Sequence, residues 1–197
     1  MSKTDRRAQL LTVAAKLFAE SSYGGVTTSL LAKAAGVSEP VLYQHFTNKE
    51  HLYQQVLQEG CEKTLVEWDR IKAETKSPID AVLKVVRQQF SVESELWTFY
   101  KLHLRAVSEA QDTRVSEILN VNNTRYHDFL RVALQEAQVK GELRNDVDVS
   151  DLAWLLLSQG LMLNYSRQIG LKGLEHSGYL DRLLRQALGV VNTNAKR

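Results

Sequence analysis

The side chains that most often carry catalysis are few and poorly spaced in this chain. Five histidines (His45, His51, His103, His127 and His176) fall at no HExxH or ExxH interval, and Cys61 is the single cysteine. His127 and Asp128 are neighbours, so on a helix they project in different directions and make a poor acid–base pair. No GxSxG, Walker or GxGxxG pattern occurs. Catalysis, a metal centre and a cofactor are therefore not expected. The stretch that does concentrate polar chemistry is Gly36 to Tyr53, GVSEPVLYQHFTNKEHLY, where tyrosine, glutamine and histidine stand in a row. Their common capacity is directional hydrogen bonding.

Placed on a helix, these residues separate into two faces. With Leu42 at zero and about 100° per residue, Phe46 falls beside Leu42, and the two share a core-facing side. Pro40 and Gln44 point the opposite way with Val41 next to them, and Tyr43 and His45 lie on the two flanks. An outward edge of that kind suits the major groove of double-stranded DNA. Gln44 can read a base edge, adenine N6/N7 being the favoured partner, and Pro40 and Val41 can meet a thymine methyl. Tyr43 and His45 can reach phosphates on either side. Lys49 adds a cation at the start of the next helix, and Thr28 can approach the backbone from the start of the preceding one. Thr27 and Ser38, at the starts of the second and third helices, complete the set assigned to DNA.

The elements that must position this edge are legible from spacing and punctuation. Leu10, Leu11, Ala14, Leu17 and Phe18 mark an amphipathic helix over about 4–21, and Gly24-Gly25 is expected to end it in a left-handed stop. Thr27 or Thr28 caps a second, short helix with Leu30, Leu31, Ala34 and Ala35 on its apolar side. Gly36-Val37 turns the chain, Ser38 caps the third helix, and Pro40 sits in its first turn. Thr47-Asn-Lys-Glu50 reads as a capping box for a fourth helix running to about Glu74, and Ser77-Pro-Ile-Asp80 as another start. Further helices are expected at roughly 78–91, 94–109, 113–139, 149–170 and 176–191, with no strands. Two helices joined by a tight glycine turn, the second reading DNA, form a helix-turn-helix.

In Thr27-Thr-Ser-Leu-Leu-Ala-Lys-Ala-Ala-Gly-Val-Ser38, Leu42-Tyr43, His45-Phe46, Asn48-Lys49-Glu50 and Leu52, the sequence resembles the TetR/AcrR transcriptional repressors. The match spans about the first quarter. It implies a homodimeric repressor whose C-terminal domain holds a small-molecule effector, and an effector that favours a conformer with altered half-site spacing and so releases DNA. The sequence departs from the family pattern at Glu39-Pro40, where a basic or small residue followed by glycine is common. Glu39 cannot favour phosphate; it can accept from a cytosine N4 amine or cap its own helix, and both readings stay open.

The expected architecture is thus all-α, with a three-helix DNA-binding domain over residues 1–50 and an effector-binding and dimerisation domain over 51–197. Trp97, Tyr100 and His103 share one helix face, and Tyr126 and Phe129 another. With Met162 and Tyr165 they are the expected lining of a pocket for a largely apolar effector. Leu180, Leu183, Leu184, Ala187, Leu188 and Val191 form a stripe on the last helix, and the helix before it is apolar nearly all round. Both, with Leu156 and Gly160, are assigned to a dimer interface that presents two reading helices to a palindromic operator. The alternative is a constitutive dimeric DNA-binding or adaptor protein without a ligand.

Bulk properties agree with this reading. The chain has 197 residues, 44% hydrophobic and 24% charged, ordinary for a soluble globular protein. The formal charge is +2, and all of the excess lies in the first 51 residues, which hold six Lys/Arg against four Asp/Glu. One cysteine excludes an internal disulfide. No apolar run reaches membrane-spanning length and the N-terminus lacks a signal pattern, so a cytoplasmic location is expected.

Overall fold

The computed structural model describes residues 3–89, 91–94, 96–109 and 113–171, together with Arg182. The described residues form eight helices and no strand: α1 (Lys3–Glu20), α2 (Thr28–Ala34), α3 (Glu39–Tyr43), α4 (Lys49–Glu74), α5 (Pro78–Gln89), α6 (Trp97–Glu109), α7 (Thr113–Val139) and α8 (Val149–Ile169). The chain divides into two compact units, Met1–Thr64 with Glu95–Asn123, and Leu65–Ser94 with Thr124–Arg197. Helices α4 and α7 each give residues to both. The expected helix at 176–191 lies outside the described residues.

The first unit is built on α1, whose Leu10, Leu11, Ala14, Phe18 and Ala19 are buried against Leu31, Leu42, Phe46, Leu52, Tyr53 and Val56, with Leu102 and Leu119 closing the core. Phe18, Tyr23 and Tyr53 make a connected aromatic group, with ring centroids 4.8–6.0 Å apart. Helix α2 is so short that only a narrow stripe is buried. Leu31, Ala32 and Ala35 face inward, whereas Leu30 and Ala34, expected in the core, are exposed. Gly36 turns the chain at φ +66, with Val37 N–H donating to Ala32 O and Gly36 N–H to Lys33 O. That pair of bonds closes α2 and sets the entry to α3.

Two expected signals act differently. Helix α1 stops at Glu20 without a left-handed residue, and Gly24 and Gly25 sit in the following loop at negative φ. At α4 the cap is Asn48, whose Oδ1 accepts from His51 N–H at 2.7 Å. Thr47 lies one residue outside, and its N–H donates to His51 Nδ1 at 3.2 Å. The cap falls one residue later than the Thr47 box implies because Thr and Asn are both good caps and stand side by side.

In the second unit Trp68 is buried between Tyr126 and Phe129, each ring centroid 5.3 Å from its own. Ile79, Val82, Leu83, Val86, Leu130, Leu134 and Leu152 complete this core. Ser77 caps α5 as its sequence predicts, accepting from Asp80 N–H at 3.1 Å. Glu142, far along the chain, adds a second cap by accepting from Ile79 N–H and from the Ser77 hydroxyl. Asp148 caps α8 through the N–H groups of Ser150 and Asp151, and Gly170 ends it at φ 66.

Candidate nucleic-acid interface

Helix α3 is one and a half turns long, and burial fixes its orientation. Leu42 and Phe46 are buried, which turns Pro40, Tyr43 and Gln44 outward; Val41 and His45 are half-buried beside them. Tyr43 is 47% exposed, unusual for a residue in the midst of core contacts. Regular α-helix ends at Tyr43, and one further turn is carried by Gln44 N–H to Pro40 O and Phe46 N–H to Leu42 O. Ser38 is exposed at the N-cap with no side-chain capping bond, which leaves its hydroxyl at the surface. Thr27 caps α2 by accepting from Leu30 N–H at 3.1 Å, so its own proton remains available to an outside acceptor.

Two residues expected to approach phosphates are engaged inside the protein. Thr28 donates its hydroxyl to Glu39 Oε2 at 2.8 Å, bridging the first residues of α2 and α3. Lys49 donates to the carbonyls of Tyr23 at 2.9 Å and Val26 at 3.0 Å, with its ammonium 4.1 Å from the Tyr23 ring centre. Here the ammonium fastens the α1–α2 loop to the start of α4. Sequence alone could not see this, because a lysine one residue into a helix has the same signature whichever way it turns. Near the same surface Arg7 is held by Gln55 and lies over the Phe46 ring, and Arg6 donates to Gln9. Lys33, in the last turn of α2 and exposed, carries no signal in the sequence pattern that marks it for DNA.

The residues expected to line an effector pocket occupy three environments. Trp97 and Tyr100 are in ring contact at 5.6 Å in the first unit, and His103 is half-buried on the same helix. Burial lowers the His103 pKa to about 4, and a hydrogen bond with Asn123 offsets only part of that. Tyr126 and Phe129 pack on Trp68, a partner that their spacing does not announce. Met162 and Tyr165 are 44% and 55% exposed on the outer side of α8. An open groove of about 680 Å³ lies elsewhere in the second unit, lined by charged and polar residues including Arg70, Glu74, Lys84 and Arg87. It is not the aromatic set.

Helix α8 carries two of the residues expected at a dimer surface. Leu156 and Gly160 are buried within their own unit. The opposite side exposes Trp154, Leu155, Leu161, Met162, Tyr165 and Ile169, together with Ser158. A helix that is apolar all round has no polar face to say which half turns inward, so Leu156 and Gly160 look as fit for an interface as the residues opposite them. Leu180, Leu183, Leu184, Ala187, Leu188 and Val191 lie outside the described residues. Among the described residues no cluster of His, Cys, Asp and Glu could hold a metal, and no helix is long and apolar enough to cross a membrane.

An all-helical fold with a glycine-turned helix pair and an outward row of hydrogen-bonding residues on the second helix defines a DNA-binding transcriptional regulator. Residues 10–56 match the pattern of the family described as bacterial regulatory proteins, tetR family. The transcriptional repressor KstR2 of Rhodococcus jostii (strain RHA1) is 26% identical over 164 residues, covering 78% of each chain. The transcriptional activator FasR of Mycolicibacterium smegmatis is 45% identical over 58 residues, 29% of this chain and 26% of that one. Among solved structures, a Clostridium perfringens fatty acid metabolism regulator superposes with a TM-score of 0.74 at 25% identity, covering 93% of this chain and 98% of that one. These relatives are regulators rather than enzymes.

Proposed function

We propose that the protein is a homodimeric repressor that binds a palindromic operator and is released from it by a largely apolar small molecule. The observation that carries the DNA part is the outward set Pro40, Tyr43 and Gln44 over buried Leu42 and Phe46. Gln44 reads a base edge, Val41 and Pro40 take apolar contacts, and Tyr43, His45, Thr27 and Ser38 fix the register on phosphates. Thr28 and Lys49 hold this edge in place from behind. Repression rather than activation is supported by the likeness to KstR2, a repressor that aligns with 78% of this chain, whereas the activator FasR aligns with 29% of it.

Dimerisation is supported by the exposed apolar side of α8, which a monomer has no reason to keep in water. Two copies then present two reading helices to half-sites a helical turn or more apart. An apolar effector is supported by the aromatic residues of α6 and α7 and by the likeness to a fatty acid metabolism regulator. An effector acts by binding more tightly to a conformer whose reading helices do not fit the operator, and DNA lowers effector affinity by the same factor. The test is to select genomic fragments on the purified protein, then titrate the bound complex with medium- and long-chain acyl compounds. Release at stoichiometric occupancy is expected. A complex that no apolar compound dissociates removes the effector part and favours a constitutive DNA-binding protein.

A further inference from the structure

We infer that Glu39 reads a base, selecting cytosine in each half-site through its N4 amine, with Thr28 as the positioning residue for its carboxylate. This rests on the DNA-binding reading and goes on to name a base that the reading does not. Glu39 opens α3, half-buried, with exposed Pro40 beside it and exposed Tyr43 one turn on. The Thr28 hydroxyl, at the first residue of α2, donates to Oε2 at 2.8 Å. Among the described residues nothing donates to Oε1, and no Lys or Arg forms an ion pair with the carboxylate.

An anion fixed at the edge of a surface that meets a polyanion repels phosphates, and it is tolerated there only if a donor faces it. The donors on base edges in the major groove are the adenine N6 and cytosine N4 amines. Adenine sets its N7 acceptor next to N6, which a carboxylate with two acceptor oxygens meets unfavourably, whereas cytosine offers the amine without a neighbouring acceptor on the same base. Thr28 holds one oxygen, so the other is presented without the ordering cost of a free side chain. If Glu39 served only to tie α2 to α3 and to complement the α3 N-terminus, no base would depend on it.

Selection of duplex sites from a random library by the full-length protein separates these accounts, run on wild type, Glu39→Gln and Thr28→Val with folding checked by thermal melting. Wild type is expected to prefer C·G roughly tenfold at one position of each half-site. Glu39→Gln should move that position to A·T, since an amide pairs with adenine N6 and N7, and leave every other position as it was. Thr28→Val should broaden the same position alone. As a measure independent of any variant, the unaltered protein should lose about tenfold in affinity when that C·G pair alone is exchanged. Unchanged preference with a uniform gain in affinity for Glu39→Gln overturns the inference, as does equal wild-type binding to all four pairs. Wild type that selects no sequence at all overturns the DNA-binding reading instead.

Discussion

At the scale of single residues, the proposed reading edge separates groups assigned to DNA from groups that hold them there, and the two should respond differently to salt. Gln44→Ala is expected to cost about 1–3 kcal/mol of operator affinity and to relax preference at one base pair. Lys49→Ala is expected to lose about 1–2 kcal/mol of folding stability, because two charge-assisted bonds to the Tyr23 and Val26 carbonyls go with it. Operator affinity should fall with it, but the slope of log K against log salt should stay that of wild type. A slope shallower by about one for Lys49→Ala, measured by anisotropy titration, would make it a phosphate contact after all. His103 gives a pH signature. Its folded pKa of about 4 lies below the ordinary histidine value, so the unfolded chain binds a proton first. Stability should therefore decline as pH drops from about 6.5 to 4, by on the order of 1–3 kcal/mol, and level off below. A His103→Gln protein melted across the same range should lack that component.

At the scale of elements, α8 carries the sharpest contrast between its two sides. Leu156→Ala, on the buried side, should cost about 2–5 kcal/mol of stability and leave the oligomeric state alone. Leu161→Glu, on the exposed side, should fold normally yet give monomers in light scattering, with operator affinity largely lost. A dimer that survives Leu161→Glu would place the interface elsewhere. The difference between these sides is what sequence could not supply. The boundaries of α7 are readable to the residue, and those of α1, α4, α5 and α8 nearly so, because the apolar period sets them even where a cap or a glycine acts differently from its signal. The outward set on α3 is readable too, since Leu42 and Phe46 alone decide its rotation. On α8 the apolar residues run round the whole circumference and leave the phase undetermined. Thr28 and Lys49 are ambiguous for a related reason: a polar side chain at a helix start serves an outside phosphate or an inside partner with the same spacing.

For the whole molecule, the quantity on which the proposed function turns is the coupling between effector and operator. A ligand present at a hundred times its dissociation constant should stabilise the protein by about 2.7 kcal/mol, seen as a rise in melting temperature that operator DNA opposes. A constitutive DNA-binding protein shows stabilisation by DNA alone.

The three tryptophans hold distinct positions: Trp68 is wedged between two aromatic rings, Trp97 lies against Tyr100, and Trp154 is stacked on His127 at 4.5 Å while 47% exposed on the outer side of α8. If the exposed side of α8 is the dimer face, as proposed, Trp154 is a native optical probe of self-association. Dilution that separates two copies should shift its emission to the red and open it to collisional quenchers, whereas Trp68 stays dark to them. A variant keeping only Trp154 would report subunit exchange in real time without any attached dye.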